Sequence, residues 1–264
     1  MNDVPPGDPV FARTGPVPHS DRVTEQMKSV VVTGAASGMG ESVTGRFVAE
    51  GWQVLAVDLN ESSLESLAAQ HGSAIVPVAV DVRDRAAVDA AIAGAVGGSA
   101  LMAVVNAAGI YPTSTLDDYT EDVYRRIFDI NVLGTINVTA AAVPHVRAHG
   151  GGGAVVNFAS IDAFAVSRGQ LLYCASKAAV VSLTRSLAIE LAGDSISVNA
   201  IAPGWVATPG TIAGGRIDEA VKAVPLGRAA APEEIADWVW NLARNPGGYL
   251  TGETVVVSGG LVMR

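Results

Sequence analysis

The stretch "SVVVTGAASGMG", Ser29 to Gly40, decides the fold. Its opening, "SVVVT", shows no polar alternation, and a strand that is apolar along its length is covered on both faces. Thr33, Gly34, Gly38 and Gly40 then mark a tight turn into a helix expected from about Gly38 to Glu50. Glycines let a backbone approach a pyrophosphate closely, and the N–H groups and dipole at a helix start favour its negative charge. An ordinary strand-to-helix turn can look the same, so context decides. Here a strand precedes the turn, a helix follows it, and Asp58 closes the next strand twenty positions after Gly38.

The alternation runs on through the chain. "QVLAVD" is the second strand, followed by a helix near Glu61 to Gln70. "AIVPVAVDV" is the third, with Pro77 pointing to a sheet edge. A helix near Ala86 to Ala95, the strand "LMAVVN" and a long helix over Glu121 to Arg147 come next. Gly150 to Gly153 lead into the strand "AVVNF". The helix that carries "LLYCASKAAVVSL" follows, with Ala175, Ala179, Leu183, Leu187 and Leu191 expected on its buried face. Then come "SISVNAI", a Gly- and Ala-rich excursion from about Pro203 to Ala231, the helix "PEEIADWVWNLA" and the strand "ETVVVS".

Buried strands that alternate with helices imply right-handed crossovers and a parallel sheet. The expected class is α/β: a doubly wound parallel sheet of about seven strands with helices on both faces. It should occupy residues 27–264 as a single domain, with a mobile substrate lid over about 205–231. Residues 1–26 read as an irregular extension. Pro5, Pro6, Pro9, Pro16 and Pro18 break any periodicity there, and no apolar segment follows a basic start as in a secretory signal.

The chain has 264 residues, enough to bury a sizeable core. Hydrophobic residues make up 49%, yet no apolar run spans a membrane thickness without charged or turn residues. A net charge of −9 argues against nucleic acid, which needs a basic footprint, and against anionic lipid. The single cysteine, Cys174, excludes an intrachain disulfide and fits a reducing, cytoplasmic compartment. None of His19, His71, His145 and His149 has a Cys, Asp or Glu partner at metal-ligand spacing, so no metal site is expected.

In doubly wound sheets ligands bind beyond the carboxyl ends of the strands. The residues there carry the chemistry. Gly34, Ser37, Gly38, Met39 and Gly40 form the expected pyrophosphate turn. Asp58 is placed to accept hydrogen bonds from an adenosine ribose and would repel a 2′-phosphate. Leu59, Ser37 and Met39 around it are uncharged. This predicts NAD(H) over NADP(H), although Asp58 could instead cap the helix behind it. Asp81 could accept from an adenine amino group, or cap a helix, and Val82 could pack on the ring. In "NAAG", Ala107, Ala108 and Gly109 leave room for a cofactor, while Asn106 can tie strand ends together by amide hydrogen bonds.

Ser160 follows the fifth strand, thirteen positions before Tyr173, and Lys177 lies one turn beyond Tyr173. A phenol with a pKa near ~10 is a poor acid or base at neutral pH. A nearby ammonium and the first turn of a helix both favour phenolate, so Lys177 is expected to lower the Tyr173 pKa. Ser160 can hold the substrate oxygen from the other side. The walls of a substrate pocket should come from Tyr111, Ile161, Asp162, Phe164, Leu171, Trp205 and the excursion. Mostly apolar walls suggest a ring or hydrocarbon substrate, and Asp162 could recognise a hydroxyl or merely cap a turn.

Taken in order, "TGAASGMG", "NAAG", Asn131 in "NVLGT", Ser160, "YCASK" and "PGWVAT" resemble the short-chain dehydrogenase/reductase family over about Ser29 to Leu261. The resemblance implies a Rossmann-like fold with Tyr173 as general acid/base, and Lys177 lowering its pKa and holding the nicotinamide ribose. It implies that Ser160 orients the carbonyl and that Asn131 supports a water-linked proton relay. Pro203, Gly204, Val206 and Thr208 match the segment that positions the nicotinamide. It also implies a homotetramer, a dimer of dimers, built on the helices of Glu121 to Arg147 and of Tyr173, where Ala175, Ala178 and Ala179 permit close approach. The expected activity is interconversion of a secondary alcohol and a ketone with NAD(H). The alternatives are an NADPH-dependent 3-oxoacyl-carrier-protein reductase and a cofactor-sensing scaffold without turnover. The chain departs from the family's pattern in its first residues and between Thr208 and Pro232.

Overall fold

Val30 and Val32 of strand β1 (Lys28–Thr33) join one core and Val31 joins another, and all three are fully buried. Side-chain alternation thus sorts one wholly apolar strand into two layers of packing. The computed structural model describes residues 26–215 and 217–264. The extension expected over residues 1–26 lies outside them except for Gln26, whose Nε2 donates to the Gly98 carbonyl oxygen at 2.7 Å.

The further strands are β2 (Gln53–Asp58), β3 (Ile75–Ala79), β4 (Ala100–Asn106), β5 (Gly153–Phe158), β6 (Ile196–Pro203) and β7 (Thr254–Val257). They form one parallel sheet in the order β3-β2-β1-β4-β5-β6-β7. The chain winds outward from β1 to β3, then lays β4 on the other side of β1. The order reverses between β1 and β4, which opens a crevice at their carboxyl ends. Pro77 lies in β3 at the sheet edge, where a missing N–H is tolerated.

The helices are α1 (Gly38–Ala49), α2 (Glu61–His71), α3 (Arg85–Val96), α4 (Glu121–Phe128), α5 (Thr135–Ala148), α6 (Leu171–Leu191), α7 (Pro209–Ala213), α8 (Ile217–Ala220) and α9 (Pro232–Ala243). Val43 and Phe47 of α1 and Ile235 and Val239 of α9 fill the core on the Val30 side. Phe47, Trp52 and Trp240 meet edge to face there. Ile92 of α3, Ala142 of α5 and Leu191 of α6 fill the core on the Val31 side. A buried chain of amides and hydroxyls ties the layers together. Asn106 Nδ2 donates to Thr139 Oγ1 at 3.0 Å and Asn157 Oδ1 at 2.9 Å, and Asn157 Nδ2 donates to Thr184 Oγ1 at 3.0 Å.

Two sequence expectations need correction. The helix foreseen over Glu121 to Arg147 is interrupted by a π-turn, Asp129–Gly134, between α4 and α5. By length and composition the stretch Glu121–Ala148 is the one helix among the described residues that could cross a membrane; it carries Gly134 and Pro144, and its Val138 and Ala142 are buried against the sheet. The buried face of α6 is not the one foreseen. Ala175 is exposed, Ala179, Leu183 and Leu187 are half-buried, and only Leu191 is fully buried. Steps of four residues gain about 40° each on a 3.6-residue helix, so a strict four-residue row winds from solvent into the core. The buried stripe instead runs through Cys174, Lys177, Val181, Thr184 and Ala188.

Candidate active site

The glycine turn has the shape its sequence calls for. Gly34 and Gly38 take φ of +63° and +53°, a region open to glycine at no steric cost. A Cβ on Gly40 would collide with the Gly34 carbonyl oxygen, and one on Gly34 would meet the Ala108 backbone at 3.0 Å. Thr33 Oγ1 accepts from Ala108 N at 3.0 Å, which locks the "NAAG" segment onto the turn. Ser37 precedes α1 without capping it, whereas Asn60, Asp84 and Thr120 cap α2, α3 and α4 through their side chains. The first N–H groups of a helix have no partner within it. The turn therefore fits a pyrophosphate, with Ser37, Gly38 and Met39 at the helix start.

Asp58 does not cap a helix. Its carboxylate accepts from Ala36 N at 3.1 Å and Asn60 N at 3.0 Å, which fixes it beside the glycine turn. Leu59 next to it is exposed. Asp81 is likewise not a cap. It accepts from the Arg83 backbone and guanidinium, which hold its carboxyl below the usual carboxylate range. Val82 is buried beside Gly134, and its carbonyl accepts from Asn137 Nδ2 at 2.9 Å.

The four residues expected to act together are brought together. Ser160 follows β5 and lines the same cleft as Tyr173 in the first turn of α6, its hydroxyl near enough to act on the phenol. Ser160 Oγ also accepts from Asp162 N at 3.1 Å. Lys177, one turn on, is only 5% exposed, with Nζ 5.7 Å from the Tyr173 ring centroid and donating to the Phe158 carbonyl oxygen at 2.7 Å. The π-turn brings in Asn131. Its Oδ1 accepts from Ile110 N at 2.9 Å, and its Nδ2 donates to Ile110 O at 3.0 Å and Ser176 Oγ at 3.1 Å. Gly109 sits between the two groups: a Cβ there would lie 3.3 Å from Asn131 Oδ1 and 3.4 Å from Lys177 Nζ.

The expected direction of the phenol shift is reversed in this structure. Burial pushes Tyr173 above the ordinary phenol value; the nearby Ser160 hydroxyl opposes this, and the charge of Asp162 adds to it. The Lys177 charge is not among the causes. Burial lowers Lys177 itself, to about 8. Desolvation disfavours the charged form of each group and here outweighs their mutual attraction.

The cleft above these residues holds about 180 Å³ of space. Tyr111, Ile161, Asp162 and Trp205 line it, as do Pro203, Gly204, Val206 and Thr208 of the segment after β6. Tyr111 and Tyr173 meet edge to face, centroids 6.0 Å apart. Two expected wall residues lie elsewhere. Phe164 is covered by the Arg264 guanidinium, 3.9 Å from its ring centroid, and Leu171, 47% exposed, lies outside the cleft wall. Asp162 accepts from Ser167 Oγ at 2.6 Å. Sequence reasoning missed Ser167 and Gln170, both on the cleft wall. The available signal for Gln170 was its place one helical turn ahead of Tyr173.

A family model described as enoyl-(acyl carrier protein) reductase matches residues 34–262. The chain is similar to the 3-oxoacyl-[acyl-carrier-protein] reductase FabG of Thermotoga maritima, 35% identical over 242 residues, 89% of this chain and 98% of the relative. It is similar also to the short-chain reductase protein NovJ of Streptomyces niveus, 38% identical over 261 residues, 94% of this chain and 99% of the relative. Among solved structures, a 3-oxoacyl-[acyl-carrier protein] reductase with bound NAD from Brucella melitensis matches with a TM-score of 0.80 at 33% identity, covering 91% of this chain and 93% of its own.

Proposed function

This chain belongs to the short-chain dehydrogenase/reductase family, and from that membership we propose that it interconverts a secondary alcohol and a ketone with NAD(H). It is a nucleotide-binding oxidoreductase of alcohol- or ketone-like substrates. The nicotinamide, when bound, supplies or takes up the hydride. Proton handling and orientation fall to the chain's own side chains. Ser160 and Tyr173 present two hydroxyls to one substrate oxygen, a pair of preorganised donors where charge develops. Tyr173, kept protonated by burial, gives its proton to that oxygen in reduction and takes one back in oxidation. Lys177 and Asn131 stand behind it, with Asn131 holding the Ile110 backbone and Ser176 in place.

The observation that carries this reading is that Ser160 and Tyr173 line one wall of the cleft, with Lys177 buried one turn behind. Tyr173→Phe tests it. Coenzyme affinity should persist while turnover falls by about 10²–10⁴. A variant as active as the parent would end the proposal. Asp58 supports NAD(H), since a carboxylate fixed by two backbone N–H groups beside the glycine turn would repel a 2′-phosphate.

The second reading, a 3-oxoacyl-carrier-protein reductase using NADPH, is favoured by the name of the Thermotoga relative. The Brucella protein carries the same name with NAD bound, so the name does not decide the coenzyme. The net charge of −9 weighs against docking an acidic carrier. Faster NADPH-driven turnover of a carrier-bound 3-oxoacyl group than of free ketones would establish this second reading. A scaffold without turnover would have no use for the assembled Ser160, Tyr173 and Lys177.

Residues 205–231 serve in this proposal as the substrate lid. Gly210 of α7 lies so close to Tyr111 that a Cβ would stand 2.8 Å from the phenol oxygen, so the segment borders the cleft directly. The chain acts in the cytoplasm as a homotetramer. Exposed Leu133 and Ile136 near the start of α5 and Ile189 on α6 supply apolar contact area. A monomeric mass by light scattering would count against the assembly.

A further inference from the structure

Tyr111, in the segment after β4, bridges two elements that border the cleft. On one side its ring meets that of Tyr173 on α6 edge to face, with centroids 6.0 Å apart. On the other its phenol oxygen rests against Gly210 of α7, so closely that a Cβ there would stand 2.8 Å from it. One contact is with the proton donor and the other with the start of the lid. Tyr111 is 44% exposed and also lines the cleft, so its ring separates the cleft from solvent. It forms a roof beside Tyr173.

The support at Gly210 is fixed. Thr208 Oγ1 accepts from Thr211 N at 3.3 Å, Thr211 Oγ1 accepts from Thr208 N at 3.0 Å, and the Thr211 hydroxyl donates to Val206 O at 2.5 Å. Pro209 stands at the start of the helix, where its fixed φ suits the first turn. The Tyr111 oxygen therefore meets a held backbone, and glycine leaves the room that this oxygen fills.

The space beneath the roof is small. The cleft holds about 180 Å³, whereas sites that enclose drug-sized molecules run to about 300–1,000 Å³. Pro203, Gly204, Val206 and Thr208 line the same cleft, so in the reading above the nicotinamide takes part of that space. Ile161 and Trp205 make the rest of the wall largely apolar. In an open apolar cleft each added methylene strengthens transition-state binding. Under a roof the trend reverses once the space is full, because a longer chain has to displace the Tyr111 ring.

We infer that Tyr111 sets the size limit of the substrate: by spanning from Tyr173 to α7 it restricts the cleft to short-chain ketones and the matching secondary alcohols. This inference rests on the oxidoreductase reading above. It narrows that reading to compact substrates, and it runs against a long acyl chain or a carrier-bound one.

The test is a homologous series of methyl ketones, butanone, 2-hexanone and 2-octanone, with 3,3-dimethyl-2-butanone as a branched member. Each is assayed with NADH and with NADPH. In the parent, kcat/KM for butanone should exceed that for 2-octanone by about tenfold or more. Tyr111→Ala removes the roof and should raise the ratio of 2-octanone to butanone by about tenfold or more. Tyr111→Leu, too short to reach α7, should raise it in the same direction and serves if the first variant does not fold. Tyr111→Phe keeps the ring and should stay within about threefold of the parent ratio. A ratio taken within one protein is blind to a loss of stability, so a merely structural role for Tyr111 would leave it unmoved. A parent that turns over 2-octanone as well as butanone, or ratios unmoved in both the Ala and Leu variants, would overturn the inference and leave the oxidoreductase reading standing. So would a Phe variant as permissive as the Ala variant, or a carrier-bound 3-oxoacyl group that outruns butanone. No turnover of any ketone with either coenzyme would overturn the oxidoreductase reading and this inference with it.

Discussion

Replacing Lys177 by methionine removes a charge from the interior, and its effect on stability has a defined sign and pH window. Burial holds the ammonium at about 8, against 10.5 for an exposed lysine. At about 1.4 kcal/mol per pH unit, keeping that group protonated in the fold costs about 3 kcal/mol below pH 8. Methionine has a similar volume and leaves no large cavity. It does lose the donor to the Phe158 carbonyl oxygen, and a buried unpaired carbonyl costs about 1–3 kcal/mol. The two effects leave the variant roughly 0–2 kcal/mol more stable near neutral pH.

The pH dependence is the sharper expectation. The unfolded chain binds the lysine proton below 10.5 and the folded one only below about 8, so between these values the parent gains stability as pH rises. The penalty is absent above 10.5, accumulates as pH falls through the window, and is complete below 8. The variant has no such slope. The stability difference, variant minus parent, should therefore fall by about 2 kcal/mol between pH 7 and pH 9.5. Urea unfolding followed by tryptophan fluorescence at the two pH values measures it, and the remaining titrating groups cancel between the proteins. Turnover should drop by about 10² or more in the same variant, since the group behind the phenol is gone. A difference that stays flat or grows with pH would refute the account of Lys177 as a desolvated ammonium.

Three further substitutions probe the turn, the tetrad and the coenzyme. Gly40→Ala should cost about 3 kcal/mol or more, because its Cβ meets the Gly34 carbonyl oxygen; thermal melting reads this, and a parent-like melting temperature would show that the turn can give way. Gly109→Ala should fold, since it meets only side-chain atoms of Asn131 and Lys177, but kcat should fall by about tenfold as those two groups are displaced; unchanged kcat would separate Gly109 from the tetrad. Asp58→Ala should raise KM for NAD by about tenfold and improve the use of NADP, read as the ratio of kcat/KM for the two coenzymes; an unmoved ratio would remove Asp58 from ribose recognition.

Much of the fold was legible because its signals are local and redundant. Val30, Val31 and Val32 are apolar on both sides of one strand, and Pro77 can sit only where no ladder bond is needed. The glycine turn, Asp58 and the Ser160–Tyr173–Lys177 spacing were legible for the same reason, since each follows a strand end that the alternation had already located. What stayed hidden depends on how elements meet in space. Periodicity cannot tell that Asn60, not Asp58, caps α2, or that Asp84, not Asp81, caps α3, because two acceptors within three positions suit the same helix start. Nor does adjacency in sequence give the sign of a pKa shift. Tyr173 and Lys177 are one turn apart as expected, but the desolvation that dominates both comes from the sheet and the cleft walls. Phe164 was assigned to the pocket by its position after β5, and it turns instead to the Arg264 side chain a hundred residues away in the chain.

The π-turn shows why such irregularity gathers at the site. The helical stretch from Glu121 to Ala148 has to bury Val138 and Ala142 on the sheet and also turn Asn131 towards Ile110 and Ser176. A regular helix offers one continuous stripe for contacts of this kind. One residue added within a turn rotates everything before it by about 100° relative to everything after it. That rotation lets a single segment present two faces, at the expense of a wider and less regular hydrogen-bonded turn. The turn is held by neighbours on both sides. The Thr135 hydroxyl donates to the Asn131 carbonyl oxygen at 2.9 Å, and Gly134 lies so close to Val82 that a Cβ would stand 2.6 Å from its Cγ2. Val82 in turn is fixed by Asn137, which donates to its carbonyl oxygen. The segment after β3, expected from sequence only to border the adenine, thus also supports the turn that aims Asn131 at the catalytic residues. A change at Val82 should therefore be felt at Asn131.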